Sequence, residues 1–408
     1  MGSYGSGGVP INKISEDIDK IQSALCHNEP YMINILSNRN SEAEWKLIKL
    51  LIEKNVHFAE ASAFIRLSEP LVYYRLHGLE KNKDGSVSIK NRIIAKVSRE
   101  EVFRNFAMPA DKKIVEKLLK TNYITQEEAE LSQLIPMADD ITVEADSGGH
   151  TDGRPLVAIL PAMAALRDSI QEQMQYSTPV RVGAGGGIGT GESALGAFQM
   201  GASYVVTGSV NQSCVESGTS DYVKNLLCSV QMADIVTAPA ADMFEFGAKV
   251  EVSKKQTLFP QNSAKLYDYY VRYNSFYDIP SAEREIIENR ILKRKFEDIW
   301  NDTKQYFEKI NPSEIKKAEE KPKHKMALVF RWYLGNSSRW AVNGEKSRAF
   351  DMQIWCGQSM GAFNLWTKGT VFEKSENRKV ADVAEYIMNQ CAFSYMKAQC
   401  RTICGQLT

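Results

Sequence analysis

Short apolar runs alternate with amphipathic stretches along the first half of the chain. The runs are Tyr31–Leu36, Val56–Ala61, Ile93–Val97, Ile141–Ala145, Pro179–Ala184 and Ser203–Gly208. Each has strand length and is rich in β-branched or aromatic residues, which suit a pleated, half-buried surface. Between them, Glu42–Lys54, Asp111–Leu119, Pro161–Met174 and Gly191–Gly201 place apolar residues at helical spacing. Strand–helix alternation predicts an α/β fold with a parallel sheet and helices outside it. The sheet is either doubly wound or a (β/α)8 TIM-type barrel. Met1–Tyr4, running into the Gly5–Gly8 turn, is a weaker seventh strand, and a closed barrel wants eight.

After about residue 240 the pattern changes. Lys265–Tyr277 is aromatic and reads as helix. Ser281–Phe307 reads as a long charged helical region, anchored by Ile299 and Trp300. Asn311–His324 is polar, contains Pro312 and Pro322, and reads as a linker. Met326–Thr408 is aromatic-rich and ends in a helix from about Val380 to Cys404. The expected division is a barrel over 1–240, a helical extension over 241–310 and a C-terminal subdomain over 325–408 that packs on the barrel.

Composition narrows the function. The chain has 408 residues, enough to bury a large core, with Lys+Arg 50 and Asp+Glu 50. A zero balance gives no overall pull toward nucleic acid or acidic membranes. No stretch approaches the ~18 apolar residues of a membrane span, and Met1–Pro10 lacks a secretory pattern. Seven cysteines without a CxxC read as free thiols in a reducing, cytoplasmic setting. Cys391, Cys400 and Cys404 have no nearby histidine and read as buried thiols, not metal ligands.

Four features could do chemistry. Gly183–Gly191 (GAGGGIGTG) follows a strand and opens a helix, where close-approaching backbone N–H groups suit a phosphate. It matches neither a P-loop nor a good GxGxxG. Thr207–Ser209 (TGS) is a second such loop after the next strand, and two consecutive loops resemble a barrel phosphate site. Glu144–Pro155 (EADSGGHTDGRP) places His150 at a strand end, on a loop with Asp152 nearby, where an imidazole can exchange a proton. Lys96 and Asn34 are polar residues inside apolar strands and need partners.

EADSGGHTDGRP resembles the GGH segment of the 2-nitropropane dioxygenase-like flavoproteins. Val56–Leu79, Arg92–Arg99, Ala238–Val252 and Met326–Tyr333 resemble one branch more closely. That branch is the trans-acting enoyl reductases (PfaD type) of polyketide and polyunsaturated fatty acid synthases. The resemblance runs from Met1 into the 390s. It implies an FMN-binding (β/α)8 barrel with a helical extension. It implies that Asn34 and Lys96 contact the flavin ring system, and that Gly185, Gly186, Gly187, Gly208 and Ser209 hold the FMN phosphate. His150, behind Gly148 and Gly149, would be the proton donor. The implied reaction is reduction of an enoyl thioester on an acyl carrier protein, with NADPH as hydride source. Lys293–Lys295 is a basic candidate for docking that carrier, although a solvated helix face gives the same pattern. Family members have an earlier strand that this sequence lacks, since MGSYGSGGV resembles the end of their second strand. That supports a non-catalytic remnant or docking module as one alternative expectation; a nitronate monooxygenase, which uses the same flavin and a histidine base, is the other.

Overall fold

The computed structural model describes residues 1–27, 29–37, 41–150 and 152–403, the last three of these through their backbone only. Cys404, the end of the expected C-terminal helix, lies outside the described residues. Two compact units are present. The first comprises residues 1–145, 154–185 and 196–206, and the second comprises 146–153, 186–195 and 207–408.

The first unit is built on seven parallel strands: β1 (Ser3–Gly5), β2 (Met32–Leu36), β3 (Phe58–Ser62), β4 (Arg92–Val97), β5 (Asp140–Glu144), β6 (Arg181–Gly185) and β7 (Tyr204–Val206). All seven sequence candidates become strands. They lie in sheet order β1 to β7 without a reversal. A doubly wound sheet reverses its strand order at a switch point, so this order is that of the TIM-type barrel. The described sheet has seven strands, not eight, and β1 and β7 are its two ends.

Register sorts the side chains. Asn34 aligns with Glu60, Glu60 with Ile94, Lys96 with Thr142, and Glu144 with Gly185. Side chains alternate faces along each strand. One face therefore presents Asn34, Glu60, Ser62, Lys96, Thr142, Glu144 and Tyr204. The other presents Ile33, Ile35, Ala59, Ala61, Ile93, Ala95, Ile141, Val143, Val182 and Ala184, all fully buried. Helices Glu100–Ala107 and Leu156–Met174 pack against strands of this sheet.

The second unit holds a three-stranded antiparallel sheet. Its strands are β8 (Ile235–Pro239), β9 (Lys249–Ser253) and the two-residue segment Gly149–His150, with β9 in the centre. A core of Phe244, Val250, Val252, Phe259, Leu266, Ile299, Phe330 and Tyr333 lies under it. No helix among the described residues is long and apolar enough to cross a membrane.

Two local expectations are corrected, on 311–324 and on Cys400. Asn311–His324 is not a linker: Pro312 opens helix Pro312–Glu320 and Pro322 opens helix Pro322–Asn343. Proline is tolerated in a first helical turn because its missing N–H has no intrahelical partner there. Ser281–Phe307 is helical as expected, but in separate pieces. Helix Ser281–Ile286 passes into a π-helical turn, Ile287–Leu292, and Lys293 then takes a left-handed φ of 56° before helix Phe296–Ile310 begins. Cys391 is buried as expected, but Cys400 is exposed.

Candidate active site

The polar face of the seven-stranded sheet holds a charge network. Asn34 Nδ2 donates to Glu60 Oε2 and Ser62 Oγ, both at 2.8 Å. Lys96 Nζ lies 3.1 Å from Glu144 Oε1, and each side chain is 26% exposed. Burial works against the Lys96 ammonium, but Glu144 and Glu60 outweigh it and hold its pKa above the ordinary 10.5. Lys96 is therefore a fixed cation and not a proton carrier at neutral pH. Beside it, Thr142 Oγ1 and Tyr204 Oη are hydrogen-bonded at 2.9 Å. The Tyr204 ring lies over Gly183, where a Cβ would fall 2.2 Å from it. That explains the first glycine of GAGGGIGTG by packing.

In the second unit His150 is not on a free loop. It sits in a two-residue strand, opposite Val250 of β9. Its Nε2 is 3.0 Å from Asp242 Oδ1. Burial is the largest influence and pushes the Asp242 carboxyl up, but the bond and charge of His150 together with backbone N–H groups outweigh it and hold the carboxyl below the ordinary 3.8. An imidazole facing a carboxylate can hold a proton and pass it on. The Trp355 ring stands 6.1 Å from the imidazole, centroid to centroid. Gly149 has a φ of +99° and faces the same ring.

The glycines after β6 divide by role. A Cβ on Gly189 would fall 2.4 Å from Ser359 O, and one on Gly191 would fall 2.6 Å from Gln390 Cβ. Both exist for close packing. Gly186 and Gly187 have φ of 90° and 74°, and Gly187 has open space where a side chain would stand. Gly208 is likewise open. Gly185 lies at the end of β6, its carbonyl accepting from Ala145 N at 2.8 Å. Ser209 Oγ accepts from Gly357 N at 2.9 Å. A Cβ on Gly148 would be 2.9 Å from both of those atoms. Gly148, Ser209 and Gly357 thus form one tight junction.

Sequence reasoning missed Asp242, Glu60 and Gly357. Asp242 lies in AADMF with nothing in its spacing to distinguish it. Only the pairing of β9 with Gly149–His150 brings it to the imidazole. The cations of Lys293–Lys295 are neutralised locally, by Asp351, Asp302 and Glu288 in turn.

A family model described as the inserted helical domain of [acyl-carrier-protein] S-malonyltransferase matches residues 273–352. The chain is 45% identical over 393 residues to polyketide biosynthesis protein PksE of Bacillus subtilis, covering 96% of this chain and 51% of that protein. It is 48% identical over 378 residues to a polyunsaturated fatty acid synthase polypeptide of Thraustochytrium sp., covering 91% of this chain and 25% of that one. The chain thus spans about half of the Bacillus relative and a quarter of the Thraustochytrium one. The crystal structure of the enoyl reductase domain of MlnA, from the macrolactin cluster of Bacillus amyloliquefaciens, matches with a TM-score of 0.94 and 39% identity. That match covers 99% of this chain and 91% of the MlnA chain. The chain belongs to the family of trans-acting enoyl reductases of polyketide and polyunsaturated fatty acid synthases.

Proposed function

We propose that this chain is an FMN-dependent enoyl reductase acting on enoyl thioesters carried by an acyl carrier protein, with NADPH as hydride source and His150 as proton donor. It would work in trans, beside a polyketide or polyunsaturated fatty acid synthase in the cytoplasm. The observation that carries this reading is the His150–Asp242 pair, held directly behind Gly148 and Gly149 in a chain of the enoyl reductase family.

The residues present fit a flavin mononucleotide. Gly187 and Gly208 leave room where side chains would stand, and the Ser209 hydroxyl is nearby in the same unit. When bound, the flavin would supply the two-electron hydride step. The chain's own residues do the rest. Gly185, Gly186, Gly187, Gly208 and Ser209 hold the phosphate through backbone N–H groups and a hydroxyl. Asn34 and Lys96 meet the ring system, and Lys96 supplies a fixed positive charge beside Glu144. His150 gives a proton to the substrate α-carbon. Asp242 orients the ring through the Nε2–Oδ1 contact.

The carrier protein is the expected partner because residues 273–352 match a helical domain from a transferase named for that carrier. The test is NADPH oxidation by the full chain with added FMN and an enoyl thioester on a carrier protein. Turnover that requires both is the expected result. A chain that retains FMN and oxidises NADPH without reducing the enoyl group overturns the reading.

A further inference from the structure

Asp242 lies in the turn that joins β8 to β9, residues 240–248, and its side chain is 62% exposed. Burial does not hold such a carboxylate, so its 3.0 Å contact with His150 Nε2 depends on what fixes the turn. The turn is gripped at three points. The Phe244 ring is fully buried and meets Phe330 edge-on, with centroids 6.4 Å apart. Arg331 Nε donates to the Ala241 carbonyl at 2.8 Å, one residue before Asp242. The buried His324 places Nδ1 2.9 Å from Glu245 Oε1 and Nε2 2.7 Å from Glu314 Oε2.

Phe330, Arg331 and His324 all belong to helix Pro322–Asn343. His324 and Arg331 stand two helical turns apart, about 10 Å, on one face. The Arg331 guanidinium also lies 3.9 Å from Glu245 Oε2. Arg331 therefore spans Asp242: it holds the carbonyl of residue 241 on one side and faces the carboxylate of residue 245 on the other. A guanidinium is a rigid planar fork, so both relations are set by one plane. The segments Ala238–Val252 and Met326–Tyr333, distinctive in the sequence, meet through this contact.

We propose that Arg331 is a positioning residue of the proton-donor site, holding the Ala241–Glu245 turn so that Asp242 meets His150 Nε2. The inference rests on reading His150 as the proton donor. A carboxylate only accepts, so a neutral His150 facing Asp242 carries its hydrogen on Nε2. Moving the turn by roughly 1 Å takes that contact out of hydrogen-bond range and frees both the tautomer and the aim of the ring. A misplacement of that size can cost about a hundredfold in rate. The buried Phe244 ring keeps the turn folded in either case. Arg331 sets where the turn points, and it acts through Asp242.

The experiment is a double-mutant cycle on the full chain with added FMN, NADPH and an enoyl thioester on a carrier protein. Arg331→Met is made in wild type and in Asp242→Ala. In wild type it should lower kcat roughly ten- to a hundredfold, with KM changed less than about threefold. In Asp242→Ala it should lower kcat by less than about twofold further, because the group it acts through is already gone. Arg331→Lys keeps the charge without the planar fork and should lose about threefold in wild type. It replaces Arg331→Met in the cycle if that variant fails to fold. A second readout needs neither flavin nor substrate. The ring 15N signals of His150, one of five histidines and assigned by their loss in His150→Ala, should report the Nε2–H form in wild type with the ring neutral. The Arg331 variants should show a mixture of tautomers. Equal kcat losses in the two backgrounds, or unchanged His150 signals in the Arg331 variants, overturn the proposal. If wild type reduces no enoyl thioester, the enoyl reductase reading has failed, and the ring signals alone decide the positioning role.

Discussion

His150 Nε2 lies 3.0 Å from Asp242 Oδ1, although the two residues are 92 positions apart in the chain. Antiparallel pairing of Val250 with His150 holds the histidine in place, and the turn between β8 and β9 delivers the carboxylate. His150→Ala should retain FMN and lose roughly 10²–10⁴-fold in turnover, the range for a positioned proton donor. Unchanged turnover would remove His150 from the reaction. The pair should also mark the acid limb of stability. The folded pKa of Asp242 is depressed, so its contribution is present above 3.8 and is lost as pH falls through the lower folded value. Comparing melting temperatures of wild type and Asp242→Asn on descending pH checks the sign, and a gap that widens toward acid contradicts it.

Lys96 and Glu144 give the opposite limb. The Lys96 pKa is raised, so its contribution is complete below 10.5 and fades as pH climbs through the higher folded value. Lys96→Met removes that alkaline loss and leaves Glu144 and Glu60 without their cation. The variant should melt lower than wild type near neutral pH, with the difference shrinking as pH climbs past 10.5 and through the higher folded value. It should also bind FMN more weakly. Parallel melting curves at every pH would show that the ion pair contributes nothing.

The glycine loops separate packing from ligand binding. A side chain on Gly208 meets open space, without a strained φ. Gly208→Val should therefore change stability by no more than about 0.5 kcal/mol, yet weaken FMN binding at least tenfold. Gly189→Ala drives a methyl against the Ser359 carbonyl and should lower the melting temperature instead. Thermal melts beside flavin titrations distinguish the two. If Gly208→Val holds flavin as tightly as wild type, the TGS loop is only a turn.

Arg75 is the structural keystone of the first unit. It is fully buried. It reaches Asp139 Oδ2 at 2.5 Å, Asn91 O at 3.1 Å and Pro136 O at 3.0 Å. Asp139 in turn accepts from Ile93 N at the start of β4. Arg75→Met strands the Asp139 carboxylate and the carbonyls of Asn91 and Pro136. The expected loss is about 3–5 kcal/mol, read from urea unfolding. A loss under about 1 kcal/mol would mean the carboxylate finds other partners.

Much of this molecule was legible one segment at a time. All seven strand candidates, including the weak Met1–Tyr4, became strands of one sheet, because β-branched runs between amphipathic helices have few other uses. The GGH segment, the glycine loops and the isolated Lys96 and Asn34 stood out because each breaks the local pattern. The prolines at 312 and 322 misled, since proline both ends chains of structure and opens helices, and only the neighbouring core selects between the two.

What the linear order determined on its own was the alternation of strand and helix, and the places where glycine or a polar side chain interrupts it. Such features are local, set by period and by backbone freedom. The tertiary structure decided who meets whom. It gave Asp242 to His150, Glu144 to Lys96 and Glu60 to Asn34. It left Glu251 Oε2 buried beside Gly357, without a hydrogen-bond partner among the described residues. These relations depend on strand register and burial, which set distances and dielectric between residues far apart in the chain, and no local spacing encodes them.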